Sequence, residues 1–205
     1  MAYESRNPYT GKLLTSYENT TDSEVTQIIE QAHTTFLSWS KTSFAERAII
    51  MRNVADILRN NVDIYANMMT IEMGKLLAEA KAEVVLSADI FDYYAKNAET
   101  LLKPEKLSVA NSNEINAVIL AEPLGVLLAI EPWNFPFYQV ARIVAPQLSA
   151  GNTILLKHAS NVPQAADAFE KLMLEAGLPQ GAFKNLYSTR SQIETIINDP
   201  RIHGV

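Results

Sequence analysis

Residues 131–136 read EPWNFP: one asparagine among two aromatics and two prolines, placed directly after the apolar run GVLLAI. An asparagine side chain carries two N–H donors and one carbonyl acceptor. Held in place beforehand, such an amide can stabilise an oxyanion as charge develops, and removing one donor of this kind typically costs about 3 kcal/mol. Pro132 and Pro136 supply rigidity, because each locks its own φ and biases the preceding residue toward extended geometry. Pro136 suits the first position of the next helix, which would make Phe135 the N-cap and leave Asn134 one residue too early to cap. The plainer reading of Asn134 is a turn residue bonding its own backbone. A second candidate, Lys157, closes the run NTILLK. Beside the mouth of the first strand it is a cation that can meet a dinucleotide, or an ordinary solvated lysine.

These residues need elements to hold them, and the sequence divides into two halves. The first is helical. TDSEVTQIIEQAHTTFLSW offers Asp22 or Ser23 as N-cap and places Val25, Ile28, Ile29, Ala32 and Phe36 on one face. SFAERAIIMRNVADILRNN repeats the pattern with Ala48, Met51, Val54 and Leu58, and the segment from Val62 to Leu102 continues it, with Gly74 as the interruption. The second half changes period. KLSVA and EINAVIL flank the turn-prone NSN and predict a protruding hairpin within 104–123. GVLLAI, NTILLK, AFKNLYS and IHGV then alternate with helical segments. Strand and helix at this pitch predict an α/β fold with a Rossmann-like parallel sheet, whose ligands bind at the carboxyl ends of the strands. The sequence stops inside the fourth strand, so a fragment is expected.

Composition narrows the function classes. Hydrophobic residues at 48% against 20% charged suit a globular chain with a full core. Seventeen Lys and Arg against 23 Asp and Glu give a net charge of −6, which argues against a nucleic-acid or acidic-membrane partner. No apolar stretch approaches the roughly 18 residues that span a bilayer. The start, MAYESRNPYTGK, lacks the layout of a secretory signal, so a cytoplasmic location is expected. There is no cysteine, which excludes disulfides, thiolate metal sites and cysteine catalysis within these 205 residues. His33, His158 and His203 lie far apart without metal-ligand spacing, so no metal site is expected and each reads as a packing or surface histidine.

EPLGVLLAIEPWNFPFYQVARIVAPQLSAGNTILLKHASNVP resembles the aldehyde dehydrogenase superfamily. So do NPYTGK near the start, EMGK at 72–75 and EAGLPQGAFKNL at 175–186. Four segments in order cover nearly the whole chain. The resemblance implies that Asn134 is the side-chain donor to the aldehyde oxygen. It implies that Ile130, Pro132 and Trp133 line an NAD or NADP cofactor, that Lys157 reaches the adenosine ribose, and that Phe135 faces the substrate. Ser160 stands where NAD-preferring relatives often carry a glutamate. A glutamate would repel a 2′-phosphate and a serine can donate to one, so NADP is expected to be tolerated or preferred; Ser160 can also cap the helix starting near Val162. Arg142 stands where relatives specific for succinic semialdehyde carry arginine. Two turns into the helix, it could bind a distal carboxylate, or pair with a surface acid. Pro146 removes the helix bond to the Arg142 carbonyl, which predicts a local kink. His158 in LLKHASNV matches one such subgroup. Ile143 and Arg190 depart from the common pattern, which has lysine and glycine there.

By the same resemblance, residues 1–103 and 124–205 form an incomplete NAD(P)-binding domain, and the 104–123 hairpin joins subunits into a dimer or tetramer. The family's cysteine nucleophile and its water-activating glutamate lie downstream of a segment like DPRIHGV. Two readings follow. Either the chain is the amino-terminal part of a dehydrogenase that oxidises succinic semialdehyde to succinate, inactive alone, or it is a non-catalytic dinucleotide-binding or oligomerisation module of that descent.

Overall fold

The computed structural model describes residues 3–108 and 117–205. A hairpin precedes the helices: β1 (Tyr3–Arg6) pairs antiparallel with β2 (Leu13–Tyr17). These strands are too short for alternation to stand out in the sequence.

Helix α1 (Asp22–Trp39) is capped by Thr21, not by Asp22 or Ser23. Thr21 Oγ1 accepts from Glu24 N at 3.2 Å, and Glu24 Oε2 accepts from Thr21 N at 2.7 Å. This reciprocal cap needs an acid or amide three residues on, which only Thr21 has. Helix α2 (Phe44–Asn60) starts the same way at Ser43 with Glu46. The next periodic stretch divides where expected, into α3 (Val62–Met73) and α4 (Leu77–Leu101). Gly74 sits between them at φ 79°, a left-handed turn that a side chain would disfavour.

After β3 (Glu105–Lys106), which pairs antiparallel with β4 (Val118–Ile119), comes the parallel sheet. Residues 109–116 of the expected hairpin lie outside the described residues. The sheet contains β5 (Val126–Glu131), β6 (Thr153–His158), β7 (Phe183–Asn185) and β8 (Ile202–Gly204), joined by α5 (Tyr138–Ala150), α6 (Pro163–Glu175) and α7 (Arg190–Ile197). Its order is β7-β6-β5-β8, every pairing parallel. The order reverses at β5, which places a topological switch point at that strand's carboxyl end.

Alternation along the strands separates two faces. Ala129, Ile154, Leu156 and Phe183 pack on one side with α2 to α6. Val126, Leu128, Leu155 and Leu186 pack on the other with Val25, Ile29 and Ala32 of α1 and Ile196 of α7. The sheet is therefore covered on both faces, as the unbroken apolar runs required. Phe169 of α6 anchors the larger side, with its ring centroid 5.6 Å from Phe137 and 5.8 Å from Phe183. No helix among the described residues is long and apolar enough to cross a membrane.

Candidate functional site

β5 delivers the chain to Glu131, and residues 132–137 turn it into α5. The regular helix begins at Tyr138, with Phe137 at the N-cap position, so Pro136 is not its first residue and Phe135 is not its cap. Phe135 does contribute its carbonyl, which accepts from Gln139 N at 2.9 Å. The cap comes from elsewhere. Glu83 of α4, 3% exposed, accepts at Oε1 from Phe137 N (2.8 Å) and Tyr138 N (3.0 Å). Those two amides would otherwise be orphaned at a buried helix start, where a carboxylate also complements the helix dipole.

The other Glu83 oxygen pairs with the ammonium of Lys75, and both side chains are almost wholly buried. Lys75 Nζ also donates to the Asn134 carbonyl at 3.1 Å and lies 3.5 Å from the centroid of the Phe135 ring. His158, 1% exposed, pins the far end of the turn. Its Nε2 lies 3.0 Å from the Pro136 carbonyl, to which Nε2–H donates in the tautomer whose Nδ1 accepts from Ala159 N at 2.9 Å; Nδ1 also lies 3.2 Å from the Glu131 carbonyl. Burial pushes the imidazole below its ordinary pKa, so it stays neutral near pH 7, and Lys157 pushes in the same direction. His158 is thus the packing histidine that its isolation in the sequence suggested.

The backbone of 134–138 is anchored at four points, and the Asn134 side chain makes no hydrogen bond among the described residues. It is exposed at the carboxyl end of the sheet. The expected alternative, a turn amide satisfied by its own backbone, is not what the loop adopts. An unbonded amide on an anchored backbone is what a waiting donor requires.

α6 is capped in the same manner. Glu72, 2% exposed and the penultimate residue of α3, accepts from Gln164 N at 2.8 Å and Ala165 N at 3.0 Å. Ser160 therefore does not cap this helix, and no side chain of its own loop does. Gln164 Nε2 donates to Ser5 Oγ at 2.6 Å, which ties β1 to the same junction. Burial raises the Glu72 carboxyl above the usual range, against the pull of these hydrogen bonds.

At the carboxyl ends of β5, β6 and β7 lies a cleft of about 600 Å³. Ile130 and Lys157, aligned across the β5–β6 ladder, form one wall; Ser160, Ser188 and Arg190 line it further. The lining carries two cations and no acid. Burial lowers the pKa of Lys157, whose ammonium is 5.9 Å from the Tyr3 ring centroid. The Ser188 hydroxyl is buried there without a hydrogen-bond partner. A cleft with two cations, hydroxyls and one unsatisfied donor suits an anionic, hydroxyl-bearing ligand such as a phosphorylated ribose. Lys157 is the penultimate residue of β6, one short of the strand end expected for it.

The structure thus brings together Ile130, Lys157 and Ser160. Trp133 lines an adjoining cleft of about 410 Å³ that also touches Ser160. Pro132, Trp133 and Phe135 are exposed on the turn. Arg142 stands apart from both clefts, exposed about one turn into α5, not two, because the regular helix starts later than expected. Its guanidinium is 5.9 Å from the Tyr138 ring and forms no ion pair among the described residues. Pro146 is accommodated within α5, which continues to Ala150.

Three residues central to this arrangement carry no role in the sequence reading: Glu72, Lys75 and Glu83. A signal for one was present. Ala80, Val84, Ser87, Ala88 and Phe91 form the buried stripe of α4, and Glu83 falls on it. An acid on an apolar stripe is buried only with partners.

The chain matches the aldehyde dehydrogenase family over residues 1–205. It is 44% identical over 199 residues to a succinate-semialdehyde dehydrogenase [NADP(+)] of Deinococcus radiodurans, covering 97% of this chain and 41% of that protein. It is 45% identical over 196 residues to succinate-semialdehyde dehydrogenase [NADP(+)] 1 of Mycobacterium tuberculosis, covering 96% and 43%. Its fold superimposes on the crystal structure of succinic semialdehyde dehydrogenase from Streptococcus pyogenes in complex with NADP+ with a TM-score of 0.94 at 42% identity, over 98% of this chain and 44% of that one. The chain therefore spans less than half the length of these relatives.

Proposed function

Because the chain belongs to the aldehyde dehydrogenase family, we propose that it forms the cofactor-binding part of an NADP-accepting dehydrogenase that oxidises succinic semialdehyde to succinate. The observation that carries this reading is the cleft joining Lys157, Ser160 and Arg190 at the strand ends, together with Asn134 on the anchored turn that follows β5, its side chain unbonded among the described residues. Lys157 and Ser160 hold the adenosine ribose and its phosphate, Arg190 adds a second cation, and Ile130, Pro132 and Trp133 bound the rest of the dinucleotide. A nicotinamide cofactor held there would supply the hydride acceptor for the oxidation. Asn134 aims its N–H at the aldehyde oxygen and stabilises the charge that gathers there as the nucleophile adds. With no cysteine in the chain, that nucleophile is supplied from outside these 205 residues, and the chain alone is inactive. Residues 1–103 and 124–205 make up the cofactor domain, and the 104–123 segment joins subunits of a homo-oligomer.

Two variants of the active dehydrogenase test the assignment. Ser160→Glu should weaken NADP by about 10-fold or more while changing NAD much less, because a carboxylate opposes a 2′-phosphate and accepts from ribose hydroxyls. Equal effects, measured by cofactor titration, would refute the ribose-phosphate placement. Arg142 is exposed and unpaired among the described residues, so it is available to a distal carboxylate; Phe135 is the apolar side of the same approach. Arg142→Ala should cut kcat/KM for succinic semialdehyde by roughly 30-fold or more, and for a neutral aldehyde by no more than about threefold. Comparable losses for both aldehydes would sink the substrate assignment.

A further inference from the structure

We infer that Lys75, held by Glu83, is the positioning residue that aims Asn134. This rests on the reading of Asn134 as the oxyanion donor and goes beyond it by naming what holds the donor still. The ammonium has three partners, and all belong to one device: the Glu83 carboxylate, the Asn134 carbonyl and the face of the Phe135 ring. The two oxygens of Glu83 divide their work. One fixes the ammonium on the residue that bears the amide, and the other fixes the amides of Phe137 and Tyr138 at the start of α5. A single carboxylate therefore sets the distance between the Asn134 backbone and the helix behind it. Gly74, at φ 79°, turns the chain so that Lys75 leaves α3 and points back at this junction.

The arrangement is costly if it serves stability alone. Burying an ion pair is often no better than burying apolar side chains of similar volume, whereas a fixed charge pair gives a defined geometry. What it defines here is the position of one backbone carbonyl, that of Asn134, whose side-chain amide has no hydrogen-bond partner among the described residues. Lys75 touches no reacting atom in this scheme. Its effect on the reaction passes through Asn134, and a misplacement of about 1 Å at such a donor can cost on the order of 100-fold in rate.

The test is a double-mutant cycle in the active dehydrogenase, using Lys75→Met, Asn134→Ala and the double variant, with kcat, aldehyde KM, cofactor Kd and Tm measured for each. Lys75→Met should lower kcat by about 10- to 100-fold and leave cofactor Kd within about twofold. In the Asn134→Ala background the same change should lower kcat by less than about threefold, because the group it aims is gone. An equal fold-loss in both backgrounds would overturn the inference and leave Lys75 as a stability residue only. An unchanged kcat for Asn134→Ala by itself would overturn the donor reading and this inference with it. Should Lys75→Met fail to accumulate as folded protein, Glu83→Gln takes its place: it keeps an oxygen for the two amides and removes the charge that holds the ammonium. The same loss of effect in the Asn134→Ala background is expected for it, and additivity would overturn the proposal equally.

Discussion

Asn134→Ala in the active dehydrogenase is expected to lower kcat by about two to three orders of magnitude and to leave cofactor affinity within about twofold. The structure explains why both halves of that outcome belong together. The side chain makes no hydrogen bond among the described residues, so its removal orphans no buried partner there. The turn backbone is fixed by groups other than that side chain: Lys75 on the Asn134 carbonyl, His158 on the Pro136 carbonyl and Glu83 on the amides of Phe137 and Tyr138. None of these depends on the asparagine amide. The cleft walled by Ile130, Lys157 and Ser160, where the cofactor is proposed to bind, is likewise untouched. Loss would therefore fall on the transition state and not on the ground state, which is the signature of a donor used only during reaction. Steady-state kinetics combined with a cofactor titration separates the two. A kcat that stays within about threefold would remove Asn134 from the chemistry.

Glu72→Ala should destabilise the protein by about 2–4 kcal/mol, which for a domain of this size lowers Tm by roughly 5–15 °C. Two amides at the start of α6 lose their acceptor at a largely buried junction, and the packing of α3, α6 and β1 loses its shared carboxylate. A thermal melt checks this, and a change below about 1 kcal/mol would mean that other groups satisfy those amides. Glu72→Gln gives a second readout through pH. Burial holds the folded carboxyl above its ordinary value of 4.5. Between 4.5 and that raised value the folded chain binds more protons than the unfolded one, so this contribution to stability falls as pH rises through the window and is constant above it. Glutamine cannot ionise, so the variant should lose less stability than the parent between pH 4.5 and 7. Glu131, raised in the same direction by burial, retains its share of the slope.

Much of the architecture was legible because it depends on local periodicity. The helical stripes of α1 and α2, the break at Gly74 and the alternation of apolar runs with helices each arise from residues within a few positions of one another. Boundaries were less legible where a cap decides them. Thr21 prevails over Asp22 and Ser23 because only it has Glu24 three residues on. The start of α5 moved to Tyr138 because its cap is a residue 54 positions upstream, and no pattern within EPWNFP contains Glu83. The short strands β1 and β2 were missed because four or five residues give alternation too little length to show.

The sequence by itself determined that an asparagine would sit on a stiff turn at the carboxyl end of a parallel strand, with Lys157 on the neighbouring strand. It also determined that these 205 residues contain no thiol to act as nucleophile. Only the tertiary structure decided what makes the turn stiff. The prolines restrict two φ angles, but the position of the Asn134 backbone is set by Lys75, which is 59 residues away, and by His158 from the next strand. Likewise α6 is held by Glu72, 92 residues before the first amide it caps. Local dihedral preferences act over a few residues and can be read in one dimension. The acceptor for a buried amide is whatever polar group the packed core brings within about 3 Å, and that choice exists only once the chain has folded.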